Sequence, residues 1–571
     1  MSDPASGARQ SLAPLLAAVL LAVVLGVAEL PFATFMADDL FQLALLEGRI
    51  PGGSDLAPWQ LTTIADGVPA HVRALQNIGA MPWFFDPHFT MAFFRPLTSL
   101  LLATDHALWG LWPIGYRLHG IAWFVLLVVG LGLLLRRALP GPIGGLALIV
   151  FAISGIHASL FWNATRHVVV AGAFGVFALA AHLRWRQAGW RPGRLLSVVG
   201  LALGLAAGEA ALAVVAYLLA YEACGAAGDA RARWRAAAPA LALVAVYLAL
   251  HHFLGFGAGR DGGYIDPLRE PGAFLLQLPG RWLFLAGAMV LGGGADLWLL
   301  LPHRHAALVA LGVASLAAFA YALRATWPSA TTGERRGARW LIVGAAVSTI
   351  PFVGAPLGSR CLVLPMLGGS VAVAFVLQRW WATRRARRQP ALTAICALLA
   401  FIHLALAPAT HLSAPYMARQ MLDERVATVA REIDLDPQRL PTQRVVVLRA
   451  PDFMIGLHVY FFRALHRLPM PRSWRMLSWA SAPRRFTRTA ADTLELELGD
   501  GEIAAPRLAV GDVIELDGLR VTVLARGDEG PTRVRFQFDR SLDDADLVLL
   551  AWRDDRLRRV TPPLVGDSAT L

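Results

Sequence analysis

The chain has 571 residues, of which 56% are hydrophobic and 16% charged, with a formal net charge of +12. Soluble domains are about a quarter charged, so a single water-soluble globule is excluded and a polytopic membrane protein is the class that remains. All 52 basic residues are Arg, which reads as codon usage and topology charge in short loops, not as a nucleic-acid surface.

In chain order, Leu12 to about Phe35 forms the first apolar stretch. It is too long for a signal-peptide core and predicts an uncleaved first membrane helix. A mostly polar or amphipathic segment, 36–113, follows as an outer loop. Membrane-length runs then recur near 115–135, 141–156, 166–183, 195–207, 210–224, 236–254, 276–294, 305–323, 340–354, 361–378 and 391–409. They predict a mostly α polytopic bundle of about eleven crossings, with a re-entrant or broken hairpin where Pro279, Gly292–Gly294 and Pro302 interrupt the 276–304 region.

Arg clusters mark one side of this bundle. They are Arg136 and Arg137; Arg184, Arg186, Arg191 and Arg194; Arg231, Arg233 and Arg235; Arg324, Arg335, Arg336 and Arg339; and Arg379, Arg384, Arg385, Arg387 and Arg388. All of them fall inside if the N-terminus, with Arg9, is cytoplasmic and the 276–304 region crosses an even number of times. That orientation predicts a bacterial inner (plasma) membrane protein whose tail is periplasmic or otherwise extracytoplasmic.

The tail changes character. Arg444–Ala450 is a buried-strand run, Thr493–Leu498 alternates with period two, and Val513–Leu516 and Leu519–Leu524 flank an Asp517-Gly518 turn. Val534, Phe536 and Phe538 alternate again, and Leu547–Trp552 is a further strand. The predicted organisation is a membrane domain over 1–410 and a β-rich soluble domain over 411–571. The tail sequence carries no nucleophile elbow, metal cluster or phosphate loop, and Cys224, Cys361 and Cys396 have neither metal-ligand spacing nor a disulfide framework.

Ionisable groups at membrane depth cost about 2.5–3.5 kcal/mol each on insertion scales, which makes them functional candidates. Asp38-Asp39 follows the first helix; two adjacent carboxylates can supply a general base, and they equally suit the start of the amphipathic helix that follows. Arg95, in Phe94–Leu97, stands ten residues before Asp105, and Gly115–His119 comes next; an Arg95–Asp105 brace and a bundle-satisfied His119 are the structural alternatives. Arg166 opens a helix, and Glu209 sits between two short apolar runs, where a Glu–Arg bundle pair is the structural alternative. Arg360 begins a further helix; its planar fork suits a phosphate, and snorkelling to headgroups is the other reading.

The order of these residues resembles the GT-C superfamily of polyprenyl-phosphate-sugar-dependent glycosyltransferases. The nearest branch looks like the transmembrane tetratricopeptide-repeat protein O-mannosyltransferases and their bacterial relatives. That family's first-loop acidic pair is matched by Asp38-Asp39, and its F-R-P-L segment with a downstream Asp by Phe94–Leu97 and Asp105. Its G-Y-H-like stretch is matched by Gly115–His119. Its Lys-Glu is matched only at Glu209, because Gly208 replaces the Lys. Its Arg-Tyr-x-Tyr-x-Pro start is matched at Arg360 and Pro365, with Cys361 and Val363 at the aromatic positions. The resemblance covers roughly 10–410, and the β-rich tail replaces the repeats of that branch.

The resemblance implies inverting transfer from a lipid-phosphate sugar to an acceptor hydroxyl or amine on the outer face. Asp38 would be the general base with Asp39 beside it, Arg360 and Arg166 the donor-phosphate ligands, and Glu209, Arg95, Asp105 and His119 supporting residues. The resemblance specifies no cofactor; related transferases differ in metal dependence, which leaves a divalent ion at the acidic pair open. The implied partners are the polyprenyl-phosphate sugar, the lipid bilayer and an acceptor glycan, lipid or protein. A lipid-linked-sugar transporter or flippase, and a non-catalytic anchor for the β domain, are the competing readings; no inverted repeat supports the transporter.

Overall fold

The computed structural model describes residues 11–570, apart from 51–56, 261–262, 386–388, 481, 504 and 506. Arg9, Arg387 and Arg388 of the topology count therefore lie outside the described residues. The chain forms two compact units: Met1–Thr34 with Phe94–Leu254 and Ile265–Met417, and Phe35–Phe93 with Gly255–Tyr264 and Ala418–Leu571. Residues 35–93, within the span assigned from sequence to the membrane domain, thus pack with the C-terminal residues.

The first unit is a helix bundle. Proline at the first turn starts many of its helices, including Pro96–Trp109, Pro113–Ala138, Pro192–Ala207 and Pro271–Val290. There the ring's fixed φ suits the helix and the missing N–H is an orphan anyway. A capping box between Thr331 and Glu334 starts Thr332–Ser348. Gly189, at φ 63°, ends Arg166–Ala188 in the left-handed conformation that glycine adopts without strain.

Among the described residues, eight helices are long and apolar enough to cross a membrane: Ala13–Phe32, Pro113–Ala138, Asn163–Ala188, Ala230–Phe253, Pro271–Val290, Pro302–Ser329, Thr332–Gly354 and Pro390–Glu432. The chain is mostly helical and a multipass membrane protein by this measure. Four of the apolar runs read from sequence form shorter helices: Pro142–Ala152, Pro192–Ala207, Leu212–Ala220 and Met366–Thr383. The interrupted 276–304 region joins two long helices through Gly292–Gly294, all at positive φ, and a short turn of helix at Leu297–Leu300. Helix Met366–Thr383 lies in the centre of this unit, with every residue from Met366 to Leu377 buried. Its start is held by Tyr217, whose hydroxyl donates to the Pro365 carbonyl at 2.8 Å and accepts the Gly368 N–H at 2.9 Å.

The second unit holds three sheets. β1 (Thr63–Asp66), β2 (Thr90–Ala92) and β3 (Gly257–Gly259) form a small antiparallel sheet. β4 (Arg444–Arg449) and β5 (Ser473–Met476) are parallel neighbours, joined by helix Phe453–Leu465. With β11 (Leu547–Arg553) and β12 (Arg556–Arg559) they make a sheet of order β12-β11-β4-β5. β6 (Arg485–Ala490), β7 (Thr493–Glu497), β8 (Val513–Leu516), β9 (Leu519–Arg526), β10 (Pro531–Phe538) and β13 (Ser568–Thr570) make a sheet of order β13-β6-β7-β10-β9-β8. Its hairpin turns at Asp517-Gly518, with Leu516 opposite Leu519 and Gly518 at φ 68°.

The C-terminal region is β-rich, yet its parallel sheet with a crossover helix was not read from the strand runs. The segment 69–93 completes its core. Trp83 is buried among Phe486, Phe536 and Leu477 and donates its indole N–H to the Leu477 carbonyl at 3.0 Å.

Candidate active site

The membrane unit collects most of the predicted residues. Arg95 precedes helix Pro96–Trp109, whose Thr98 hydroxyl donates at 2.6 Å to the carbonyl of Ala207, the last residue of another helix. Glu209 follows two residues later, in the break before helix Leu212–Ala220. This junction brings the Arg95 guanidinium onto both oxygens of Glu209: Nε donates to Oε2 at 2.8 Å, and Nη2 donates to Oε1. Such a fork-to-fork pair fixes orientation as well as charge. His167 Nε2 stands 3.9 Å from Glu209 Oε1. The His167 ring also lies within electrostatic range of Arg360.

Asp105, 1% exposed, makes a second cluster. Its Oδ1 lies 2.6 Å from His119 Nδ1, and its Oδ2 pairs with Arg166. Trp123 Nε1 donates to His119 Nε2 at 2.9 Å, so the ring proton on Nδ1 faces the carboxylate. The pairings considered from sequence are therefore exchanged: Arg95 holds Glu209, not Asp105, and Arg166 holds Asp105, not Glu209. Helix geometry explains the first change, since ten residues separate Arg95 and Asp105 by about 15 Å along one helix. Arg166 is 3% exposed, and its charge is engaged inside the bundle.

Arg360 lies in the turn Ser359–Leu362 before the central helix and donates through Nη2 to the Pro356 carbonyl at 3.0 Å. Asp296 secures that turn by accepting the Ser359 N–H at 3.1 Å and the Ser359 hydroxyl. Arg281 reaches the same connection, donating to the Val353 carbonyl at 2.8 Å.

Asp38 and Asp39 belong to the other unit and open helix Asp38–Leu46. Asp38 is half-buried, while Asp39 is 2% exposed and accepts the Met36 N–H through Oδ2 at 3.3 Å. The residue before the pair, Ala37, has φ 48° and ψ −121°, a backbone conformation that strains any side chain.

Several residues were missed from sequence. His167, Tyr247 and His251 surround the Arg95–Glu209 pair electrostatically. Glu29, 1% exposed, pairs with Arg117 and with His411 Nε2 at 2.8 Å. A lone acid ending an apolar run was the available signal for Glu29. Among the described residues, no group of three or more His, Cys, Asp or Glu is arranged to hold a metal ion.

Neither a family model nor a curated protein matches this sequence. Among solved structures, the chain is similar to ArnT from Cupriavidus metallidurans bound to undecaprenyl phosphate, at 12% identity and a TM-score of 0.38, over 92% of this chain and 98% of that one. It is also similar to the oligosaccharyltransferase AglB from Archaeoglobus fulgidus in complex with an inhibitory peptide and a dolichol-phosphate. There the identity is 13% and the TM-score 0.40, over 81% of this chain and 64% of that one. Likeness at this level fixes no chemistry for this chain.

Proposed function

We propose that this chain is a membrane glycosyltransferase that moves a sugar from a polyprenyl-phosphate donor to an acceptor hydroxyl or amine, with inversion at the sugar carbon. The observation that carries this reading is the gathering of Arg95, His167, Glu209 and Arg360, from separate segments, in one electrostatic cluster of the membrane unit. Helices Arg166–Ala188, Pro192–Ala207 and Met366–Thr383 each have Arg residues in or beside the end away from these residues, which supports the outer-face assignment made from the Arg clusters. Buried charge at helix ends is costly and marks function.

In the proposed mechanism, Asp38 accepts the proton of the acceptor as the new bond to the sugar carbon forms. The bond from that carbon to the phosphate oxygen breaks, and the electron pair leaves with the polyprenyl phosphate. Arg360 stabilises the growing charge on that phosphate. Asp39 supports the strained turn that aims Asp38. Arg95 and Glu209 hold the junction beneath His167, and Asp105, His119 and Arg166 brace the neighbouring helices.

The test is transfer of a labelled sugar from polyprenyl-phosphate donors by the purified chain in nanodiscs. Asp38→Asn abolishes transfer while the protein stays folded, Arg360→Ala weakens donor use, and Arg360→Lys restores it in part, because a point charge lacks the fork. Full activity of Asp38→Asn and Asp39→Asn, separately and together, eliminates the base. Transport of the lipid-linked sugar without transfer supports a flippase instead.

A further inference from the structure

We infer that Glu209, His167 and Tyr247 form a subsite for neighbouring hydroxyl groups of the sugar on the donor lipid. The inference rests on the glycosyltransferase reading and adds to it what recognises the sugar, as distinct from the phosphate.

The chemistry starts from acceptors. His167 Nδ1 lies 2.9 Å from the Ala164 carbonyl oxygen, which can only accept, so the proton sits on Nδ1. In the neutral ring, Nε2 then presents a lone pair. Glu209 Oε1, 3.9 Å from Nε2, also only accepts. Two acceptors facing each other cannot bond; they call for donors from outside. A vicinal diol supplies two O–H donors on adjacent carbons, one for each. Arg95 donates to both Glu209 oxygens, but each carboxylate oxygen can accept a second hydrogen bond, and the Glu209 side chain is 36% exposed, which leaves room for a ligand donor.

A separate observation points the same way. Tyr247, 5% exposed, is on helix Ala230–Phe253, and its buried hydroxyl has no hydrogen-bond partner among the described residues. Its ring lies 6.1 Å from that of Phe94, the residue before Arg95, which sets it beside the Arg95–Glu209 pair. Buried hydroxyls are ordinarily paired, and an orphan beside a charged cluster is a group kept for a ligand. A sugar hydroxyl can pair with it as donor or acceptor.

The backbone is shaped around this arrangement. A Cβ at Gly208 would come within 3.0 Å of His167 Cδ2. The residue before Glu209 is therefore held small by the imidazole that packs against it. In the proposed mechanism Arg360 serves the phosphate end of the same donor.

The experiment measures equilibrium binding of the full chain in nanodiscs to bare polyprenyl phosphate and to a panel of polyprenyl-phosphate pentoses and hexoses. Wild type binds at least one sugar-bearing lipid tenfold or more tighter than the bare carrier. Tyr247→Phe and His167→Ala each shrink that margin at least fivefold and leave bare-carrier affinity within twofold. Tyr247→Phe also keeps the wild-type Tm, because its hydroxyl has no hydrogen-bond partner among the described residues. A margin that persists in both variants, an absent margin in wild type, or a lowered Tm in Tyr247→Phe overturns the subsite. Failure of wild type to bind any of these lipids overturns instead the donor class on which the proposed function rests.

Discussion

Arg95 and Glu209, 114 residues apart, meet as a two-pronged ion pair in which Nε reaches Oε2 at 2.8 Å while Nη2 reaches Oε1. The pair joins the start of one helix to the break between two others, at the place where Thr98 also bonds the Ala207 carbonyl. It is thus both a clasp in the bundle and one wall of the proposed sugar subsite. Its energetic weight separates these roles.

Glu209→Gln removes the carboxylate charge from a guanidinium that is 10% exposed. Breaking a fully buried pair in this way costs about 3–5 kcal/mol. The Glu209 side chain is 36% exposed, so solvent screens part of the loss and about 1–2 kcal/mol is expected. Thermal unfolding in nanodiscs measures it. The double variant with Arg95→Gln loses less than the sum of the two single losses, since each removes the same contact.

Asp105→Asn is the more damaging change. Asp105 is 1% exposed and serves both His119 and Arg166, so its loss strands a buried guanidinium. A destabilisation of about 3–5 kcal/mol is expected, seen as poor yield and a large fall in Tm. A near-normal Tm in Asp105→Asn contradicts the brace.

The strained turn before the acidic pair gives a stabilising prediction. Ala37→Gly removes the Cβ that makes φ 48° unfavourable, a strain of about 1–3 kcal/mol offset by about 0.5–1 kcal/mol of glycine entropy. The net gain is about 1 kcal/mol in Tm measurements. If the strain aims Asp38, transfer falls as stability rises. Asp39→Ala, which loses the bond to the Met36 N–H, costs about 1 kcal/mol.

The crossover helix of the second unit titrates with a defined sign. His458, 5% exposed and packed against Phe453 and Phe461, has its pKa pushed down to about 4 by burial. The unfolded chain holds that proton from about pH 6.5 downward. Unfolding therefore takes up a proton, and the stability from the neutral ring is present above about pH 6.5 and lost as pH falls toward 4. The full window corresponds to about 3 kcal/mol. His458→Phe flattens the acid limb of Tm against pH in that interval, and an unchanged limb assigns the acid sensitivity elsewhere.

The sequence by itself determined what is encoded locally. Runs of apolar residues announce membrane-length helices whatever their neighbours, so Pro113–Ala138 and Asn163–Ala188 appear where hydropathy placed them. The Asp517-Gly518 turn is legible because glycine at positive φ is a property of one residue. Arg166, Glu209 and Arg360 stood out because charge beside apolar runs needs a reason.

Only the tertiary structure decided who pairs with whom. Arg95 with Glu209, Asp105 with Arg166 and Glu29 with His411 are contacts between distant segments, and one carboxylate looks like another until packing selects its partner. The parallel pairing of β4 with β5 through helix Phe453–Leu465 was likewise invisible, because a strand's own residues do not state its direction relative to a neighbour. His167 and Tyr247 read as ordinary bundle residues in the chain. Their interest arises from an imidazole facing another acceptor and a hydroxyl left without a partner, which three-dimensional arrangement alone creates.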